Sequence, residues 1–272
     1  MKRNNHVLTA LVTGASSGLG ESIAKELASR GHTCLLISEN LPELERVKQE
    51  IIIAGRGKAT TLAMDLFKPD SAERIFKHCL DANIEVDILV NCAGIFLNID
   101  REMRDIRSIE EIINLHILSL TKLCFLFGRP MLDRHRGWIL NISSIASGFP
   151  DPASLTYGPT KRYILSFSEA LHCEWKDRNV AVTCLTPGGI NTNFFTSNEV
   201  FIPSVIRATL LSPDSCAKAG INAMFRGKAR ITPGISGKVQ AFILGIVSRP
   251  STYGIIRRSY CSMKKSSGAG EK

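Results

Sequence analysis

The chain of 272 residues lacks the cysteine pairs that metal sites and disulfide frameworks need. Its eight cysteines (34, 79, 92, 124, 173, 184, 216 and 261) form no Cys-x-x-Cys and no Cys/His ligand spacing. Most sit in apolar runs, so we expect small core residues in a reducing cytoplasm and no bound metal. No uninterrupted apolar run approaches about 18 residues, so no membrane-spanning helix is expected. No removable leader is expected, because Met1 to His6 lead straight into a strand-like run. No Pro/Gly/Ser-rich linker and no internal repeat occurs before the last dozen residues, which argues for one large domain. Acidic residues are scarce in one place. Residues 226–272 hold ten Lys/Arg and only Glu271, leaving 24 basic and 24 acidic residues in 1–225. The net charge of +9 therefore belongs to the tail. That speaks against a nucleic-acid partner for the body and for a basic appendage.

What is present is a regular alternation. Short apolar runs predict strands over 8–13, 33–38, 59–64, 86–90, 138–142, 180–185 and 229–232. Amphipathic stretches between them predict helices over 21–30, 42–53, 71–80, 109–127, 156–176 and from Pro213 onward. The expected fold class is α/β: a single Rossmann-type, doubly wound parallel sheet of about seven strands, flanked by helices on both faces. Residues 193–212 lack clean periodicity and carry Phe194, Phe195, Phe201 and Ile202, so they read as an apolar flap over a substrate. The dinucleotide-binding body is placed at 1–235 and a basic, apolar extension at 236–272.

Between the first strand and its helix stands Gly14-Ala15-Ser16-Ser17-Gly18-Leu19-Gly20. Strand, glycine loop and helix present free backbone N–H groups and a positive helix end to a phosphate. The second strand ends at Ser38-Glu39, where such folds read the adenosine ribose. An acidic Glu39, with no arginine on that loop, favours NAD and leaves NADP as the alternative. Far downstream, Tyr157 and Lys161 lie four apart and share a helix face. A nearby ammonium would pull the phenol below its usual pKa of about 10 and ready it for proton exchange with a ketone or alcohol. Alone, such a pair is as compatible with an ordinary surface contact. Its place behind a glycine loop and Ser143-Ser144 changes the balance. His116, inside an apolar helix, reads as a satisfied buried histidine.

Together these pieces resemble the short-chain dehydrogenase/reductase family over residues 7–192. Thr13-Gly14-x-x-x-Gly18-x-Gly20 is similar to its cofactor fingerprint, and Asn91-x-Ala93-Gly94 to its Asn-Asn-Ala-Gly motif, with Cys92 replacing the second Asn. The resemblance implies that Asp65 holds the adenine and that Asn114, Ser144, Tyr157 and Lys161 form the catalytic tetrad. Tyr157 would be the proton donor or acceptor. Lys161 would lower its pKa and bond the nicotinamide ribose, and Ser144 would hold the substrate oxygen. Asn114 would hold a water linked to Lys161. Pro187, Gly188, Ile190 and Thr192 would lie beside the nicotinamide. The cofactor-binding set is thus Gly14, Ser16, Ser17, Gly18, Leu19, Gly20, Ser38, Glu39, Asp65, Asn91, Ala93, Gly94, Tyr157, Lys161, Pro187, Gly188, Ile190 and Thr192.

The same resemblance implies a small carbonyl or alcohol substrate and a homodimer or homotetramer. Pro159 departs from the family pattern and predicts a local shift at the helix start. The segment from Ile231 onward is similar to a bacterial branch with a basic, apolar C-terminal extension. Val239, Phe242, Ile243, Ile246 and Val247 could form one helix face there, with Arg249, Arg257, Arg258, Lys264 and Lys265 following. That piece either lies on an anionic membrane and admits a lipophilic substrate or simply closes the pocket. Two rivals to an enzyme stay open at this point: a cofactor-binding regulator without turnover, and a peripheral membrane protein on the same fold.

Overall fold

In the computed structural model, residues 7–55, 57–191, 210–247, 253, 254 and 258 are described. Residues 193–209 of the expected flap, Thr192 and most of the basic tail lie outside them.

Seven strands form one sheet among the described residues: β1 (Thr9–Thr13), β2 (Thr33–Ser38), β3 (Lys58–Ala63), β4 (Ile88–Asn91), β5 (Gly137–Ile142), β6 (Val180–Leu185) and β7 (Arg230–Ile231). Their order across the sheet is β3-β2-β1-β4-β5-β6-β7. Every pairing is parallel, with Val12 opposite both Leu36 and Val90 at the centre. The order reverses between β1 and β4, and in a parallel sheet such a switch point opens a crevice at the strands' C-terminal ends.

Helices cover both faces because the central strands are apolar on both sides. On one face pack α1 (Gly18–Ser29), α2 (Leu41–Ile53) and α8 (Pro213–Phe225), through Ile23, Leu27, Val47 and Ile221. On the other pack α3 (Ser71–Asp81), α6 (Leu120–Asp133) and α7 (Tyr157–Trp175), through Ile75, Leu123, Phe127 and Ile164. Short α4 (Ile99–Arg104) and α5 (Ile106–Ile113) precede α6, and α9 (Ile235–Val247) follows β7.

Two expectations are corrected here. The predicted helix over 109–127 extends from Ile106 to Asp133 and contains a π-helical segment, Asn114–Ser119. By length and composition this helix could cross a membrane, but half of its most apolar window is buried inside the fold. Scanning for uninterrupted apolar runs overlooked it because Asn114, His116, Ser119, Thr121 and Lys122 break the run. Pro159 causes no displacement of a bonded N–H, because it is the third residue of α7, in the first turn, where the N–H has no helical partner.

Candidate active site

A cleft of about 540 Å³ runs along the C-terminal ends of the strands. Gly14, Ser16, Ser17, Gly18, Leu19, Gly20, Ser38 and Glu39 line one end, and Ser144, Tyr157, Lys161, Pro187, Gly188 and Ile190 line the other. Ala93 and Gly94 lie on its floor.

The glycine loop is shaped by close approach. Gly14 has φ +67°, and a Cβ on it would stand 2.8 Å from the Cα of Ala93. A Cβ on Gly20 would fall 2.1 Å from the carbonyl oxygen of Gly14. The Thr13 hydroxyl accepts from the N–H groups of Cys92 and Ala93 (3.0 and 3.2 Å), fixing the end of β4 against this loop. Ser17, the N-cap of α1, makes no side-chain cap bond, so the first-turn N–H groups are left to a ligand. That cradle fits a pyrophosphate. Ser16 and Ser38 hydroxyls are 2.9 Å apart at the ribose end, beside exposed Glu39. Nearby Arg46 donates to Glu21, Glu43 and Glu50 and to the Ser16 carbonyl.

At the other end the adjacent serines separate. Ser143 is buried and donates to the main-chain carbonyl of Lys161 at 2.7 Å. Ser144 caps the turn that follows, accepting from the Ala146 N–H at 3.1 Å, and hydrogen-bonds the Tyr157 phenol. The Lys161 ammonium donates to the Ile142 carbonyl at 3.1 Å and lies 5.6 Å from the centroid of the Tyr157 ring. Burial lowers the Lys161 pKa to about 8. Burial likewise pushes the Tyr157 phenol up to about 12, against the lowering effect of its bond with Ser144. The expectation that Lys161 pulls the phenol below its usual value is therefore not met: desolvation of the phenolate outweighs the bond with Ser144.

Several predicted site residues are not among those that line the cleft. Asn114 does not line the cleft; His116, two residues on, takes the place against Lys161. An added Cβ on Gly94 would lie 3.0 Å from His116 Nε2 and 3.4 Å from Lys161 Nζ. Asn114 and His116 both lie in the π segment Asn114–Ser119; Asn114 was expected from the family resemblance, and a match of residue type fixes no side-chain contact. Asp65 also stays out of the cleft lining, which takes Met64, Leu66 and Phe67 around it; its carboxylate accepts from the Phe67 N–H at 2.9 Å. The Asn91 side chain is buried in the sheet, donating to Asn141 Oδ1 (2.8 Å) and Cys124 Sγ (3.3 Å). Thr192 lies outside the described residues.

One residue escaped the sequence reading. Glu102 of α4 is 5% exposed and receives hydrogen bonds from the N–H groups of Leu155 (2.7 Å) and Thr156 (2.9 Å) and from the Ser154 (3.3 Å) and Thr156 hydroxyls. It holds the segment from which Tyr157 starts its helix. A lone glutamate in a short helix carries no spacing signal.

The family described as short chain dehydrogenase matches residues 8–201. The chain belongs to that family. Membership places this short-chain dehydrogenase among the NAD(P)-dependent oxidoreductases of carbonyl/alcohol pairs. It is 31% identical over 219 residues to a very-long-chain 3-oxoacyl-CoA reductase of Anas platyrhynchos, covering 79% of this chain and 68% of that one. It is 31% identical over 218 residues to the 17-beta-hydroxysteroid dehydrogenase type 3 of Homo sapiens, covering 76% and 70%. Across the first curated relatives, the match spans 58% to 70% of the relative's length. Among solved structures, a short-chain dehydrogenase from Sphingobium yanoikuyae in complex with NADPH superposes with a TM-score of 0.77 at 23% identity, covering 87% of this chain and 92% of that one. That likeness speaks for the fold. The curated relatives named here are vertebrate proteins and do not bear on the bacterial branch that the C-terminal segment resembles.

Proposed function

We propose that this dehydrogenase interconverts a lipophilic ketone and its alcohol, with NAD(H) preferred over NADP(H). The observation that carries the reading is the meeting of Ser144, Tyr157 and Lys161 at one end of a cleft whose other end is a phosphate-binding glycine loop. The nicotinamide dinucleotide, once bound, supplies or accepts the hydride. In reduction, Ser144 holds the carbonyl oxygen by hydrogen bonding, and the Tyr157 phenol gives that oxygen its proton. The Lys161 ammonium steadies the phenolate that remains. In oxidation the proton runs the other way. A regulator without turnover would not need this arrangement.

Three observations support the finer points. Glu39 at the ribose end would repel a 2′-phosphate, and Arg46 is already engaged by three carboxylates. Leu115, Ile142, Ile190 and Ile95 give the cleft apolar walls, in keeping with relatives named for long acyl chains and steroids. On α9, Ile235 (82% exposed), Val239 and Phe242 (71% exposed) form an outward apolar stripe at helical spacing. The same helix packs at the nicotinamide end, where a Cβ on Gly188 would stand 2.9 Å from Gln240 Oε1. Followed by a basic tail, α9 suits docking on an anionic membrane facing the cytoplasm, with substrate entering beside it. Ile243, Ile246 and Val247 have side chains outside the described set. Exposed Ile113 and Phe125 on α5 and α6 favour a homodimer or homotetramer. In this reading residues 1–235 are the catalytic body and 236–272 the membrane-contacting extension.

The test is reduction of 3-oxoacyl-CoA and steroid ketones with NADH and NADPH, with and without vesicles containing phosphatidylserine. The reading expects turnover faster with NADH, and vesicle binding lost on deletion of 236–272. Dinucleotide binding without reduction of any such ketone would contradict it.

A further inference from the structure

We propose that His116 is a positioning residue for Tyr157 and Lys161, clamping the loop after β4 to the first turn of α7. The inference rests on the dehydrogenase reading above.

The ring is 1% exposed and both nitrogens are engaged. Nε2 accepts from the Ile95 N–H at 3.1 Å, so the proton resides on the other nitrogen. Nδ1–H then donates to the Thr160 hydroxyl at 2.9 Å, and that hydroxyl donates to the main-chain carbonyl of Tyr157 at 2.9 Å. One imidazole thus joins three pieces: the cleft floor at Gly94-Ile95, the π segment, and the turn that presents the phenol. The ring also meets Tyr157 edge-on, with centroids 5.9 Å apart. Burial and the Lys161 ammonium hold the His116 pKa well below its ordinary value. The clamp is therefore neutral and adds no second cation beside Lys161.

The chemistry explains why a polar ring is needed. Leucine would fill much of the volume but leave the Ile95 N–H and a Thr160 lone pair without their partner in a dry site. Glutamine offers one acceptor and one donor and can keep much of the link. Misplacing Tyr157 by a fraction of an ångström slows proton transfer without disturbing the phosphate cradle at the far end of the cleft.

The experiment compares kcat, KM and NADH dissociation constants for the wild type, His116→Leu, His116→Gln, Thr160→Val and the His116→Leu/Thr160→Val double variant. His116→Leu should lower kcat about 10- to 100-fold, with NADH affinity nearly unchanged. His116→Gln should recover most of that loss. Thr160→Val should mimic His116→Leu, and the double variant should lose little more, because both break one chain. If His116→Leu does not fold, Thr160→Val and His116→Gln decide. A lowered melting temperature with kcat unchanged would make His116 a merely structural residue and overturn the proposal. Loss of NADH affinity in parallel with kcat would do the same. A wild type that binds NADH yet turns over no ketone would instead bring down the dehydrogenase reading itself.

Discussion

The Ser143 hydroxyl donates to the main-chain carbonyl of Lys161 at 2.7 Å, so the two serines that follow β5 have separate duties. Ser143 ties the strand to the catalytic helix, and Ser144 faces Tyr157. Ser143→Ala should therefore cost about 1–2 kcal/mol of stability and leave most turnover intact. Ser144→Ala loses its cap on the Ala146 N–H and should show a modest loss of stability, but a loss of about 100-fold or more in kcat. Denaturant midpoints and steady-state kinetics on both variants separate the two roles. An exchange of phenotypes would refute the assignment.

Glu102 presents a second division between holding and reacting. Its carboxylate receives the Leu155 and Thr156 N–H groups from within a nearly closed site. Glu102→Ala leaves those donors unpaired and should cost about 2–4 kcal/mol. It should also depress kcat, since Tyr157 follows directly in the chain. Thermal unfolding and kcat should fall together; a change in neither would show that the helix start holds without it.

Lys161 gives the pH dependence. Burial lowers its pKa to about 8. The ammonium, present below that value, is the form that steadies a Tyr157 phenolate. Above it the lysine is neutral and the support is lost. Ketone reduction should therefore fall as pH rises through about 8. Lys161→Arg keeps a positive charge throughout and should lose that limb, whatever its amplitude. A limb of the same midpoint in Lys161→Arg would assign it to another group.

Cofactor choice is read at Glu39. Glu39→Arg replaces a repelling carboxylate with a group that pairs with a 2′-phosphate. The ratio of kcat/KM for NADPH over NADH should rise about 10- to 100-fold. An unchanged ratio would show that Glu39 does not face the ribose.

Much of this was legible in the sequence because the responsible signals are local. Strand, glycine loop and helix are contiguous, and Tyr157 and Lys161 share a helix face by spacing alone. The alternation of apolar runs likewise yields the parallel sheet that the structure shows. Sequence reasoning failed where geometry departs from regular spacing or where a side chain turns away. The side chain beside Lys161 is that of His116, inside the π segment, where spacing marked it only as a buried histidine. Asn91 turns into the sheet to meet Asn141, and Asp65 bonds its own turn. Glu102 reaches across 54 residues to Thr156, a contact no periodicity announces. The Tyr157 pKa depends on burial, which spacing cannot report.

The central claim is that this cleft moves a proton between Tyr157 and a substrate oxygen. The most direct test is the turnover of Tyr157→Phe beside its affinity for NADH, measured on the same preparation. The account predicts that ketone reduction is lost while NADH affinity stays near that of the wild type. Turnover that survives the loss of the phenol hydroxyl would contradict it.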